Sequence, residues 1–218
     1  MTIRFQRELD KIKKSILSLG TLVEDRVRIA VKAIEDRDLD TAKNLIATDH
    51  EVDEMEVEIE EECLKIMALH QPVAIDLRFL VAVIKINNEL ESIGDQVVNI
   101  AERIEVIAEN KDYDIFFDYT KMADKAQDML KKSLDALVNM DVDLAFKVIL
   151  LDDEVDELKN VAYDKIKKAM SENPDISGFL INLLLISRHL ERLGDHTTNI
   201  AEEVIYMVEG EIVRHGNY

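Results

Sequence analysis

The chain has 218 residues, 47% of them apolar, and its 46 acidic side chains against 27 basic ones give a formal charge of −19. Such a charge repels nucleic acid phosphate and anionic lipid, which disfavours nucleic acid binding, and it attracts cations and basic partner surfaces. Six Gly, two Pro and no Trp, beside abundant Leu, Ile, Glu, Lys and Ala, predict an all-α protein.

Six long helices are predicted along the chain. The first runs from about residue 3 to 35, where apolar residues recur at three- and four-residue steps. The second runs from about 38 to 69 and ends before Pro72, because proline disfavours helical geometry in the residue that precedes it. Pro72 can open the third helix, which runs to about Asn110. A connector at residues 111–114 and three further helices follow.

The second half of the chain repeats the first. Residues 90–102 read LESIGDQVVNIAE and residues 190–202 read LERLGDHTTNIAE, which is an offset of 100. In the preceding helix the offset is 103, since Asp49 corresponds to Asp152. Because short connections favour antiparallel neighbours, each copy is an up-down-up bundle.

The repeat therefore predicts two tandem, pseudo-twofold related three-helix bundles. The first comprises residues 1–110 and the second residues 111–218. We expect the two bundles to lie end to end, as an elongated body with long helix grooves suited to binding other helices.

Each copy carries polar side chains along one strip of its third helix. At about 100° and 1.5 Å per residue, four side chains of each copy share nearly one direction and spread over roughly 16 Å. They are Glu91, Asp95, Asn99 and Glu102 in the first copy, and Glu191, Asp195, Asn199 and Glu202 in the second.

The second helix of each copy adds a pair of aspartates at four-residue spacing. The pairs are Asp49 with Asp53, and Asp152 with Asp156. Both pairs border the apolar stripe, where a partly desolvated carboxylate needs a partner. Four or more like charges in one groove also repel each other, so the pattern predicts bound cations.

Oxygen ligands of this kind suit magnesium, calcium, manganese, ferric iron or zinc, and the strips do not select among them. His189 and His196 have no histidine counterpart in the first copy, so we expect them to be packing or surface residues. Gly94 and Gly194 fall on the packing side of the third helices, where they let a neighbouring helix approach closely.

These features together resemble the PhoU family of phosphate-uptake regulators. The resemblance rests on the acidic pairs in both halves and on QPVAIDLR at residues 71–78, and it covers essentially the whole chain. It implies multinuclear metal clusters held by the twelve residues of the strips and pairs. Iron or zinc is the expected metal, with manganese or magnesium as alternatives. The second copy lacks the Asp-Leu-Arg motif, so the role of Asp76 and Arg78, in partner binding or in structure, is expected once per chain.

The resemblance also implies a function and partners. The expected protein is a negative regulator of phosphate-starvation signalling, an adaptor between the ATPase subunit of a phosphate ABC transporter and a sensor histidine kinase. It is expected to form a homodimer and to reach the membrane only through its partners. The alternative is a carboxylate-bridged metallohydrolase or phosphatase acting through metal-activated water. No Ser-His-Asp set, Gly-rich phosphate loop or Cys-His pair is evident, so we do not expect an enzyme.

The sequence also bears on location in the cell. A single Cys63 allows no internal disulfide, which fits a reducing cytoplasm. The stretch MTIRFQRELDKIKK is charged where a signal peptide is apolar, and no apolar run approaches the ~18 residues of a membrane span. We therefore expect a soluble, cytoplasmic protein.

Overall fold

The computed structural model describes residues 3–114 and 116–213, and the contacts given below concern these residues. Its helices are α1 (Ile3–Asp36), α2 (Leu39–Ala47), α3 (His50–His70), α4 (Ile75–Glu109), α5 (Thr120–Asn139), α6 (Val142–Glu172) and α7 (Ser177–Glu209). A 3-10 turn, Pro174–Ile176, precedes α7, and no strand occurs in the described ranges. The predicted all-α class is confirmed.

The helices form two three-helix bundles, as predicted. In the first, α1 packs against α3 and α4, and in the second, α5 packs against α6 and α7. The second and third helices of each bundle lie side by side, which brings α3 onto α4 and α6 onto α7. Among the described helices, none is long and apolar enough to cross a membrane.

The predicted second helix is divided into α2 and α3 at Thr48 and Asp49. A buried arginine explains the break, because Arg26 of α1 donates through Nη2 to the Thr48 carbonyl and to the Glu51 carboxylate, 3.1 Å away. The Thr48 carbonyl also accepts a backbone hydrogen bond from the Glu51 amide, three residues later instead of four, so the turn is tighter than an α-helical turn. The equivalent helix of the second half, α6, is continuous.

Two connections also differ from the prediction. Gln71 and Ala74 have φ of 45° and 50°, so residues 71–74 form a non-helical link and Pro72 does not open α4. The connector between the halves spans residues 110–119 and is longer than the predicted 111–114. The domain division between residues 110 and 111 falls at its start and stays a prediction.

The expected end-to-end arrangement of the bundles is wrong. The halves pack side by side, through α4 against α7 and α1 against α5. Helix α4 buries one apolar row within its own bundle and a second row besides. The second row includes Ala82, Ile86, Ile93 and Ile100. A helix that is apolar on more than one face is buried on more than one face.

Polar pairs at the α4–α7 contact fix the relative direction of these helices. Lys85 binds Glu203 at 3.1 Å, and His189 bonds to Gln96 at 3.0 Å. Because residue numbers rise along α4 while they fall along α7, the two helices are antiparallel. His196 lies at the same contact, 2.8 Å from Glu89. Both histidines thus pack between the halves, in agreement with the predicted packing role.

Candidate metal centres

In each bundle, carboxylates from two adjacent helical stretches face each other along a groove. The first acidic groove consists of Asp49, Asp53, Glu56, Glu91 and Asp95. The second acidic groove consists of Asp152, Asp156, Glu191 and Asp195. The eight aspartates and glutamates predicted from the pairs and the start of the strips are therefore brought together, four in each half.

Like charges in the first acidic groove interact across the helix pair. Burial, and then repulsion from Asp53 and Asp95, raises the pKa of Asp49 above its ordinary value. Burial and then the Asp95 charge raise the pKa of Glu91. Each ionised carboxylate thus lies where negative charge is unfavourable, and an added cation would relieve that cost.

The second acidic groove shows the same effect more strongly. Burial, followed by the charges of Asp195 and Asp156, raises the pKa of Asp152 from 3.8 to about 6. Burial and then Glu191 raise the pKa of Asp195. Burial beside other carboxylates thus makes the ionised form of Asp152 unfavourable.

Each groove has a long basic side chain of the protein beside it. Arg26 lies 3.9 Å from Asp49 in the first half. In the second half Lys159 binds Asp156 at 3.4 Å and Glu191 at 3.2 Å. Burial opposes the charge of Lys159, but its contacts with Glu191 and Asp156 raise the pKa of its ammonium. The second groove therefore already holds one cation of the chain.

The later residues of the predicted strips have other contacts. Asn99 donates to the Asp95 carbonyl on its own helix, and Glu102 is exposed and accepts from Arg103 at 2.7 Å. Asn199 donates at 3.0 Å to Glu89 of the other half. Glu202 lies two turns of α7 beyond Asp195, about 10 Å along the helix axis. Asn99, Glu102 and Asn199 thus bond to groups other than the groove carboxylates, and the role of all four residues as ligands stays a prediction.

Sequence reasoning missed three charged residues of the site. Glu56 lies seven residues after Asp49 and therefore on the same face, so helical spacing alone was enough to find it. Lys159 is its counterpart at the offset of 103 and was equally visible. Arg26 belongs to α1, and nothing in the spacing of the acids pointed to it.

The donor chemistry of both grooves fits a hard multivalent cation, since the donors are carboxylate oxygens, and the pKa values of Asp49, Glu91 and Asp152 are raised. Their present geometry is open. Within the described ranges, no three carboxylate, histidine or cysteine side chains are close enough together to hold an ion as they stand. Side-chain rotation would therefore have to accompany metal binding.

The QPVAIDLR segment lies away from the grooves, at the start of α4. Asp76 is in the first turn of α4, where a negative charge interacts favourably with the helix dipole. Arg78 packs against Gly210, which ends α7 with φ of 78°, and a Cβ at that glycine would collide with the Arg78 guanidinium. These positions give both residues a structural role, while a role in partner binding stays a prediction.

Replacing Gly194 by alanine should weaken metal binding in the second half. A Cβ at Gly194 would lie 3.1 Å from the Asp152 Oδ1, so the carboxylate has to move although no ligand is removed. We expect metal affinity to fall several-fold, measured by competition with a chelating dye. Gly94→Ala is the matched control, because its Cβ would meet Val52 at 3.2 Å and no carboxylate. Equal losses in both variants would contradict this geometry.

Asp152→Asn should flatten the pH dependence of stability of the metal-free protein. Because the folded-state pKa of Asp152 is raised to about 6, its contribution to stability is present in acid and is lost as pH rises through that value. After allowance for solvent screening, this amounts to about 1 kcal/mol at neutral pH. Urea unfolding in chelator between about pH 4 and 8 measures it. The exposed Asp164→Asn, on the same helix, serves as control, and an Asp152 variant as pH-dependent as the parent would refute the assignment.

Comparison with known proteins extends over both halves. The family model of the PhoU domain matches the chain twice, at residues 16–104 and 119–204. The chain belongs to the PhoU family. The resemblance noted from the acidic pairs and the QPVAIDLR stretch is thereby confirmed.

PhoU relatives match almost the full length. A homologue from Clostridium acetobutylicum is 34% identical over 210 residues, which is 96% of each chain. Another from Pseudomonas aeruginosa is 36% identical over 213 residues, 97% of this chain and 88% of that one. Both relatives are named accessory proteins of the phosphate-specific transport system.

Solved PhoU structures have the same fold. The crystal structure of PhoU from Pseudomonas aeruginosa superposes with a TM-score of 0.90 at 35% identity, covering 95% of this chain and all of that one. The phosphate transport system regulatory protein PhoU from Streptococcus pneumoniae gives 0.85 at 28% identity, covering 96% and 99%. These matches agree with the all-α fold of two bundles.

Proposed function

We propose that this chain is a regulatory accessory protein of phosphate transport that acts by binding and not by turnover. The observation that carries the proposal is the match of both halves to PhoU proteins named for phosphate transport, over nearly the whole chain. The candidate site agrees with a binding role, since its grooves combine carboxylates with Arg26 and Lys159. Catalysis would also need a nucleophile and a general acid or base placed next to each other.

Metal binding in the two acidic grooves is part of the proposal. Asp49, Asp53, Glu91 and Asp95 would hold cations in the first half, and Asp152, Asp156, Glu191 and Asp195 in the second. Asn99, Glu102, Asn199 and Glu202 would extend the clusters along α4 and α7. Iron or zinc is the proposed metal, with manganese or magnesium as alternatives. Bound metal would supply positive charge that neutralises the repelling carboxylates.

The proposed partners belong to phosphate signalling. They are the ATPase subunit of a phosphate ABC transporter and a sensor histidine kinase, which the chain would link as a negative regulator at the cytoplasmic face of the membrane. A formal charge of −19 favours encounter with basic patches on these partners, and the attraction weakens as salt screens it. A homodimer is the proposed assembly, and sedimentation equilibrium would measure it.

A calorimetric titration tests the proposed function. The protein is titrated with the cytoplasmic domains of the kinase and with the transporter ATPase, each with added metal and with chelator. We expect saturable binding to at least one partner, weakened by salt, and no hydrolysis of a phosphoester substrate. Absence of binding under every condition, together with metal-dependent phosphoester hydrolysis, would favour the metallohydrolase alternative.

A further inference from the structure

A cavity between α6 and α7 adjoins the second acidic groove and shares Lys159 and Glu191 with it. It has a volume of about 410 Å³ and is lined by Lys159, Asn160, Tyr163, Leu184, Ser187, Arg188 and Glu191. We call it the α6–α7 cavity. A volume in this range has room for a small ligand.

The repeat shows that the basic character of this cavity is specific to the second half. At the offsets of 103 and 100, Lys159, Tyr163 and Arg188 correspond to Glu56, Glu60 and Asn88. The formal charge of the three positions therefore changes from −2, for two glutamates, to +2, for a lysine and an arginine.

The difference continues along the helix. Residues 55–67 contain five glutamates and one lysine, and the corresponding residues 158–170 contain four lysines and one aspartate. In the first half, burial and then the charges of Glu60 and Asp53 raise the pKa of Glu56, as expected where negative charge accumulates. Two copies of one bundle thus carry opposite charges at equivalent surfaces.

The side chains of the α6–α7 cavity can donate to one anion from both helices. Among the described residues Arg188 forms no ion pair, although the chain has 46 acids. Tyr163 adds a half-exposed phenol, and the Lys167 ammonium lies 5.8 Å from its ring. Glu191 also lines the cavity, and Lys159 binds its carboxylate at 3.2 Å and that of Asp156 at 3.4 Å. An anion would therefore share Lys159 with these two carboxylates, and Arg188 supplies the cavity's unpaired charge.

We propose that the α6–α7 cavity binds a phosphate group, held between Lys159 of α6 and Arg188 of α7 with the Tyr163 hydroxyl as a further donor. Guanidinium and ammonium groups together suit a compact oxyanion with several acceptor oxygens. The volume admits either free inorganic phosphate or a small phosphorylated molecule. The proposal rests on the basic residues of the cavity. Because Lys159 and Glu191 belong to both sites, metal in the second acidic groove would alter this cavity, and the test is therefore made without metal.

Calorimetry on the full chain in chelator tests this site, with inorganic phosphate and adenosine diphosphate as separate probes. We expect one equivalent of a probe to bind. Arg188→Asn, which installs the residue of the first half, should weaken binding at least about tenfold, since it removes a charged donor. Tyr163→Phe, which removes only a hydroxyl, should weaken it by a few-fold. Chelator excludes binding of phosphate to metal, so a failure here leaves the proposed metal centres unaffected.

The control and the two probes decide the outcome. Arg28→Asn removes an exposed charge on α1, outside the cavity, and should leave affinity nearly unchanged. Tighter binding of the nucleotide than of phosphate would identify a phosphorylated small molecule as the ligand, and equal or weaker binding would identify free phosphate. No saturable binding of either probe, or equal losses in Arg188→Asn and Arg28→Asn, would overturn the proposal.

Discussion

A saturating divalent cation should raise the melting temperature of the metal-free protein by about 10 °C or more. A ligand at one hundred times its dissociation constant stabilises a protein by about 2.7 kcal/mol per site. Two independent grooves therefore contribute about 5 kcal/mol, and each kcal/mol is worth roughly 2–4 °C in a chain of this size. Scanning calorimetry in chelator, and then with magnesium, manganese, zinc or iron, measures the shift.

Variants of one groove separate the two contributions. Glu91→Ala with Asp95→Ala should remove metal from the first groove and spare the second, which leaves about half of the stabilisation. Glu191→Ala with Asp195→Ala should conversely remove metal from the second groove and spare the first. Both variants should stay helical by circular dichroism, since deleting repelling charges relieves strain when metal is absent. Loss of all metal from either variant would mean one shared site.

Replacing Arg26 by methionine should cost about 3 kcal/mol of unfolding free energy. The Arg26 side chain is only 5% exposed, and it binds the Thr48 carbonyl and the Glu51 carboxylate at the break between α2 and α3. Methionine keeps much of the apolar volume but leaves the carbonyl without its side-chain donor. Chemical denaturation with and without metal measures the loss.

Arg28→Met is the matched control for this prediction. Arg28 is on the same helix, is 62% exposed and pairs only locally with Asp25. Its replacement should change stability by no more than about 0.5 kcal/mol. If the Arg26 variant is equally mild, the break between α2 and α3 does not depend on the buried arginine.

Much of the fold follows from the sequence because its signals are local. Helical periodicity and the repeat at offsets of 100 and 103 predict two three-helix bundles, and the first helix ends within one residue of its expected end. The contact between the bundles differs from the expected end-to-end arrangement, because α4 buries a second apolar row. Ile86, Ile93 and Ile100 form the second row, which a wheel of the whole helix would have revealed.

The acidic grooves were predictable for the same reason, and their surroundings were not. Helical spacing places Glu91 and Asp95 on one face of α4, and Glu191 and Asp195 on one face of α7. The aspartate pair of the neighbouring helix in each half then faces them, because the two helices pack side by side. Arg26 reaches the first groove from a helix that is distant in sequence, which is a tertiary contact with no local signal. Asn199 lies on the predicted strip, but the α4–α7 contact directs it to Glu89.

The most direct test of the metal centres is diffraction from crystals grown with one metal at a time, with data collected at the absorption edge of that metal. We predict anomalous peaks between α3 and α4, near Asp53 and Asp95, and between α6 and α7, near Asp152 and Asp195. Crystals saturated with iron, zinc or manganese that show no anomalous peak at either groove would contradict the account.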